Sequence, residues 1–345
     1  MRNGSTGPRA DPEPRSLPEP ATLPDVTAII GGLGAAVLWA AATLCSSRSS
    51  RMLGSRVVLG WVMIVGVVVG LPIAAVSPAP ATLEATTLGL LGLAGVCYVV
   101  GLQLAYSALR IGKVSVVAPI VATEGAVAAL IAVALGDRIG VVAGIMLAAI
   151  ASGVVLATLE PGRTDVPAGD FDLVADAIDD APARAGPTEI ATALGATALG
   201  ASGERLSDAR RAALLATMSA LVFGVGIVAA GRSASLVPVA WVALAARLVG
   251  LVAVVIPLAL QGRLRLTRAA LPLVAIAGTG EVIGSMLSAW GSRESIPITA
   301  VMGSQFAVFA AVAAYFLFGE RLGRRQIAGV SLIVAGVTVL AAATA

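Results

Sequence analysis

Gly136-Asp137-Arg138-Ile139-Gly140 and Gly319-Glu320-Arg321-Leu322-Gly323 carry one pattern written twice, 183 residues apart: glycine, acid, arginine, branched aliphatic, glycine. The same offset pairs Arg110 with Arg293 and Gly153 with Gly336. Agreement of unlike residues in one register indicates an internal duplication. Around both copies the chain is apolar over stretches of about 20 residues, the length that crosses a hydrocarbon core of about 30 Å. Spans are expected at 26 to 46, 57 to 76, 87 to 109, 114 to 135 and 139 to 158, and again at 212 to 231, 238 to 260, 269 to 290, 297 to 318 and 327 to 344. The first two spans of each half match with a slip of one or two residues, bringing Arg48 to Arg232 and Pro72 to Pro257. The fold class is therefore an all-α polytopic membrane protein of ten transmembrane helices. Because each half holds an odd number of spans, the two five-helix repeats must be inserted in opposite senses.

Composition requires the same solvent. Of 345 residues 58% are hydrophobic, 12% charged and 4% aromatic, whereas a soluble domain carries roughly 25% charged residues. Too few charges remain to cover a water-soluble surface. Residues 1 to 25 hold six prolines among mixed charges and read as a disordered tail. The first apolar run begins too late for an ordinary signal peptide. The first repeat then occupies 26 to 158 and the second 210 to 345. Between them, 159 to 209 contains Pro161, Pro167 and Pro187 with an acidic run from Asp165 to Asp180, which reads as a flexible acidic linker.

Loop charges support inversion and suggest an orientation. The loop after the first span has three arginines and its counterpart in the second half one, while the loop after the second span has none against Arg263, Arg265 and Arg268. Loops following odd-numbered spans hold 16 of the Lys and Arg residues, and the remaining loops with both tails hold 6. The positive-inside tendency puts the odd loops and the linker in the cytoplasm of a bacterial inner membrane, with both termini outside.

The two Gly-acid-Arg-aliphatic-Gly segments, each followed by an apolar span with a mid-helix glycine, resemble the EamA-type repeat of the drug/metabolite transporter superfamily. The match is best over 87 to 158 and 269 to 344, fair over the other spans, and absent from the tail and the linker. The resemblance implies a ten-helix, two-repeat carrier that exports or exchanges metabolites, amino acids or drugs without a nucleotide-hydrolysing domain. The long acidic linker departs from that family, and its better-known members keep their termini in the cytoplasm, against the charge count.

Ionised side chains at the middle of a span cost roughly 2.5 to 3.5 kcal/mol each on insertion scales, so each asks for a reason. Glu124, Arg247 and Glu281 lie near the middle of the fourth, seventh and eighth spans, at similar depth. One reading makes Arg247 the cation for a substrate carboxylate or phosphate, and Glu124 or Glu281 the group that binds an amine or exchanges a proton as coupling ion. The other makes Arg247 and Glu281 a buried ion pair that merely satisfies itself. Tyr98, Gln103 and Tyr106 on the third span, Ser304 and Gln305 on the ninth, and Trp39 on the first extend the polar set, with interhelical hydrogen bonding as the plainer account. Tyr98 falls opposite Glu281 in the repeat register; Gln305 is two residues off the counterpart of Glu124.

The sequence also excludes functions. It has no histidine, and its two cysteines, Cys45 and Cys97, lie within spans, which argues against zinc, haem and disulfide frameworks. No cofactor is expected. A phosphate loop ending in Gly-Lys-Ser/Thr is absent, as is a Ser-His-Asp set or a pair of intramembrane aspartates, so an enzyme or ATP-driven pump is a poor fit. The net charge of +3 is spread over separate loops, giving no basic face for nucleic acid. The partners expected are the lipid bilayer and a small-molecule substrate; a homodimer stays open. The reading is a secondary transporter working by alternating access. Its rival is a non-transporting sensor or assembly partner acting through the acidic linker.

Overall fold

The computed structural model describes residues 23–80, 83–137 and 187–318, with scattered positions between 144 and 152 and between 328 and 335. Every regular element among the described residues is helical. In chain order these are α1 (Leu23–Leu53), α2 (Ser55–Val76), α3 (Ala85–Ile111), α4 (Val114–Val121), α5 (Glu124–Ala134), α6 (Pro187–Ala234), α7 (Val239–Gly250), α8 (Ile256–Leu260), α9 (Leu271–Gly291), α10 (Ile296–Gly303) and α11 (Phe306–Phe318), with a π-helical turn over Leu251–Val255 joining α7 to α8.

Eight helical stretches are long and apolar enough to cross a membrane, and they cover the first four spans of each half. The expected spans at 139 to 158 and 327 to 344 lie outside the described residues apart from isolated positions, as do the N-terminal tail to residue 22 and linker residues 159 to 186. Residues 187 to 209, part of the expected linker, are helical and form the start of α6, continuous with the sixth span. Their alanine-rich composition suits a helix better than the acidic run before them.

Two spans are each built from two helices. α4 stops at Val121 and α5 starts at Glu124; α10 stops at Gly303 and α11 starts at Phe306, within one residue of the repeat register. The local cause is the same in both. The backbone tightens into i→i−3 bonds, Thr123 N–H to Ile120 O at 3.2 Å and Gln305 N–H to Met302 O at 3.2 Å. A hydroxyl one turn back reinforces each, Thr123 Oγ1 donating to Ile120 O (2.8 Å) and Ser304 Oγ to Val301 O (2.7 Å). Side-chain back-bonding of this kind bends helices. Pro119 sits inside α4 just before its break, whereas Pro297 lies in the first turn of α10, where Ser295 caps Ile298 N–H. The π turn beyond Arg247 has its own cause: Pro257 has no N–H to complete the α pattern, and Ile256 N–H bonds back to Leu251 O.

The halves interlock through equivalent partners. α1 packs along α9 and α3 along α6; α2 packs on α7; α4 meets α11, and α5 meets α10. In that last set the first part of one broken span faces the second part of the other, so the two spans run antiparallel. α3 and α6 do the same, with Gly112 beside Ala212, Gly101 beside Phe223 and Cys97 beside Gly226. The helices approach closely because glycine and alanine dominate the contacts, as expected where lipid supplies no hydrophobic drive between helices.

Candidate functional site: a central cavity between the halves

The centre of the molecule is set by one contact. The Tyr98 hydroxyl on α3 donates to Glu281 Oε2 on α9 at 2.6 Å, across a separation of 183 residues, the repeat offset itself. Equivalent positions of two halves can touch only at the axis relating them, so this hydrogen bond marks that axis.

Arg247 on α7 completes the group. Its Nη2 donates to the Tyr98 hydroxyl at 2.7 Å and to Ser285 Oγ at 3.1 Å, and its guanidinium carbon lies 4.2 Å from the centre of the Tyr98 ring. Ser285 in turn donates to Glu281 O at 2.6 Å. The cation and the carboxylate are thus linked through a shared phenol rather than by a direct ion pair. Arg247 is 1% exposed, Glu281 6% and Glu124 5%, so all three costly charges are inside the protein and none faces lipid.

They line one cavity of about 990 Å³, counting the open space it joins. Glu124, the first residue of α5, enters directly after the break and has no hydrogen-bond partner among the described residues. Much of the wall is aromatic: Trp39 from α1, Tyr98 and Tyr106 from α3, Phe223 from α6 and Phe306 from α11. Two of these rings are held by the duplication. A Cβ on Gly101 would stand 2.7 Å from the Phe223 ring, and one on Gly284 2.7 Å from Trp39 Nε1. Gly101 and Gly284 are 183 residues apart and their aromatic partners 184 apart, so each half packs one ring against the other half's glycine.

Ser285 and Ser288 on α9, and Ser292 just past its end, also line the cavity. Gly231 and Ser292 also border a second cavity of about 640 Å³, walled by Asp137, Arg232, Arg293 and Glu294. This polar mouth lies where α5, α6 and α9 end. Arg232 Nη2 reaches Asp137 Oδ1 there at 2.6 Å, joining the first half to the second.

Of the site residues expected from sequence, Glu124, Arg247, Glu281 and Tyr98 converge on the cavity; Gln103 and Gln305 are not among its lining residues. Gln103 instead donates to Ser55 Oγ (3.1 Å) and Ser107 Oγ (3.0 Å), bonding α3 to the start of α2. Gln305 is buried at the break before α11, its amide donating to Val301 O at 2.9 Å. Both went to interhelical or local hydrogen bonds because an amide removed wholly or partly from water must find partners wherever it lies. Phe223, Ser285, Ser288 and Ser292 were not singled out in the sequence. The repeat register could have found Phe223, opposite Trp39 within one residue, and helical spacing from Glu281 could have found Ser285.

A family model described as the EamA-like transporter family matches residues 26–159 and 210–342. The chain belongs to the EamA-like transporter family. It is accordingly an integral membrane protein built from two repeats, in a family of small-solute transporters, and the likeness read in its paired glycine-acid-arginine motifs is borne out. No curated protein sequence matches it significantly. One solved crystal structure, described only as that of a protein, is similar to this EamA-like chain at 16% identity with a TM-score of 0.58, covering 91% of this chain and 96% of that one. At that identity the likeness concerns the fold alone.

Proposed function

We propose that this EamA-like protein is a secondary transporter of the bacterial inner membrane, moving a small metabolite, an amino acid-like or drug-like solute, by alternating access. In this reading ten helices form two inverted repeats, 26 to 158 and 210 to 345, that rock about the cavity bounded by Glu124, Arg247 and Glu281. Export or exchange, driven by a solute or proton gradient, needs no further domain. The observation carrying the proposal is the convergence of three membrane-buried charges on one cavity at the axis between the halves. A scaffold would gain nothing from keeping Glu124 without a partner beside open space. The antiparallel packing of equivalent spans supports the inverted arrangement, and the matching helix breaks beside the cavity supply one place in each half where it can flex.

The competing account, a sensor or assembly partner, predicts that the charges are dispensable. Purified protein in proteoliposomes, screened against a metabolite panel by solid-supported-membrane currents and radiolabelled counterflow, tests this. At least one solute should give saturable flux that falls to background in Arg247→Met combined with Glu281→Leu, while that variant still inserts and stays monodisperse. Full flux in the double variant would remove the cavity from the mechanism.

A further inference from the structure

We propose that the cavity's occupant is an amphipathic monocation, an amine on an apolar or aromatic body, with Glu124 as its counter-ion; this rests on the transporter reading and narrows its substrate. The argument is a charge count around one cavity. Arg247 and Glu281 carry opposite charges and share the Tyr98 hydroxyl as a bridge, at 2.7 and 2.6 Å, so together they present no net charge. Arg247 lines the cavity but offers little to a ligand: its Nη2 bonds to Tyr98 and Ser285, its Nε and Nη1 are buried, with Nε packed towards Gly66 on α2, and one face of the guanidinium is covered by the Tyr98 ring.

Glu124 is the remaining charge. It is 5% exposed, lines the cavity and has no hydrogen-bond partner among the described residues. A buried carboxylate without a partner is costly, and an ammonium group entering the cavity supplies the missing donor and the opposite charge. The rest of the wall favours the same ligand. Trp39, Phe223, Tyr106 and Phe306 offer apolar surface and ring faces that attract cations. A carboxylate on the ligand, by contrast, would meet an uncompensated negative site and an arginine whose Nη2 already bonds to Tyr98 and Ser285 and whose other nitrogens are buried. The duplication does not impose this polarity, since the position equivalent to Glu124 is Ala307.

The test uses the full chain in detergent and four ligands sharing one phenylethyl body: 2-phenylethylamine, phenylalanine, 3-phenylpropionate and 2-phenylethanol, titrated by isothermal calorimetry. The amine should bind at least about tenfold more tightly than the other three, a difference of about 1.4 kcal/mol. Glu124→Gln, nearly the same shape, should remove that preference, Glu124→Asp should keep most of it, and Gln103→Ala should leave it unchanged. The proposal is overturned if zwitterion, anion or alcohol binds as well as the amine, if Glu124→Gln keeps the preference, or if no ligand binds. Amine binding without flux in liposomes would keep this site and retire transport. Flux of an anion with no amine binding would keep transport and retire this site.

Discussion

Tyr98 holds together the two charges that flank it, and a single oxygen atom carries both links. Tyr98→Phe keeps the ring beneath Arg247 but deletes the donor to Glu281 and the acceptor for the guanidinium. Hydrogen bonds to charged groups contribute roughly 1.5 to 3 kcal/mol in proteins, and less across membrane helices. We expect a loss of about 1 to 3 kcal/mol, read as a lower midpoint for unfolding in detergent, with solute flux strongly reduced. Arg247→Met alone should cost more, about 3 to 5 kcal/mol, because it strands the Glu281 carboxylate in the interior. Adding Glu281→Leu should recover much of that stability and none of the flux. If the paired replacement restored transport as well as the melting midpoint, the charges would be a packing device only.

The broken spans make a different kind of demand on the sequence. Gly125, second residue of α5, sits against α10: a Cβ there would be 2.6 Å from Ala300 O, a backbone atom that cannot swing aside. Gly125→Ala should separate the two crossed half-helices at a cost of about 1 to 3 kcal/mol and slow flux, measured side by side as thermal midpoint and transport rate. Gly92→Ala, where nothing lies within 4 Å, should leave both unchanged. The apolar stretches that cross the bilayer were legible in the chain, because a run of about 20 uncharged residues has few other physical outcomes. Where a span divides was not. Thr123 and Ser304 bend their helices by bonding to a carbonyl three residues back, yet Thr217 and Ser285 also back-bond, to the carbonyl four residues back, inside helices without dividing them. Only the crossing partner decides. Likewise the depth of Glu124, Arg247 and Glu281 could be read from their positions along the spans, whereas the fate of Gln103 depended on Ser55 and Ser107 happening to lie within reach.

Seen entire, the molecule is two interleaved bundles meeting at a polar mouth, where Arg232 of the second half grips Asp137 of the first at 2.6 Å. If the halves must rock, tying them here should stop the cycle. In a background with Cys45→Ala and Cys97→Ala, Asp137→Cys with Arg232→Cys treated with a short bis(methanethiosulfonate), which forms a disulfide to each cysteine with release of methanesulfinate, should lose flux and regain it on reduction, followed in the same liposomes. Unchanged flux in fully cross-linked protein would mean that this end does not open. The motif pairs announced the duplication because several unlike residues recurred in one register; the axis contact, by contrast, needed coordinates, since a register says which positions correspond and not which ones touch. That contact also bears on ancestry. Two identical subunits related by the same axis would have to set like against like, phenol on phenol or carboxylate on carboxylate, and neither pair could lend Arg247 and Glu281 a common bridge. An acid facing its donor at the centre is available only where the two copies have diverged, so the two halves can no longer be exchanged for one another.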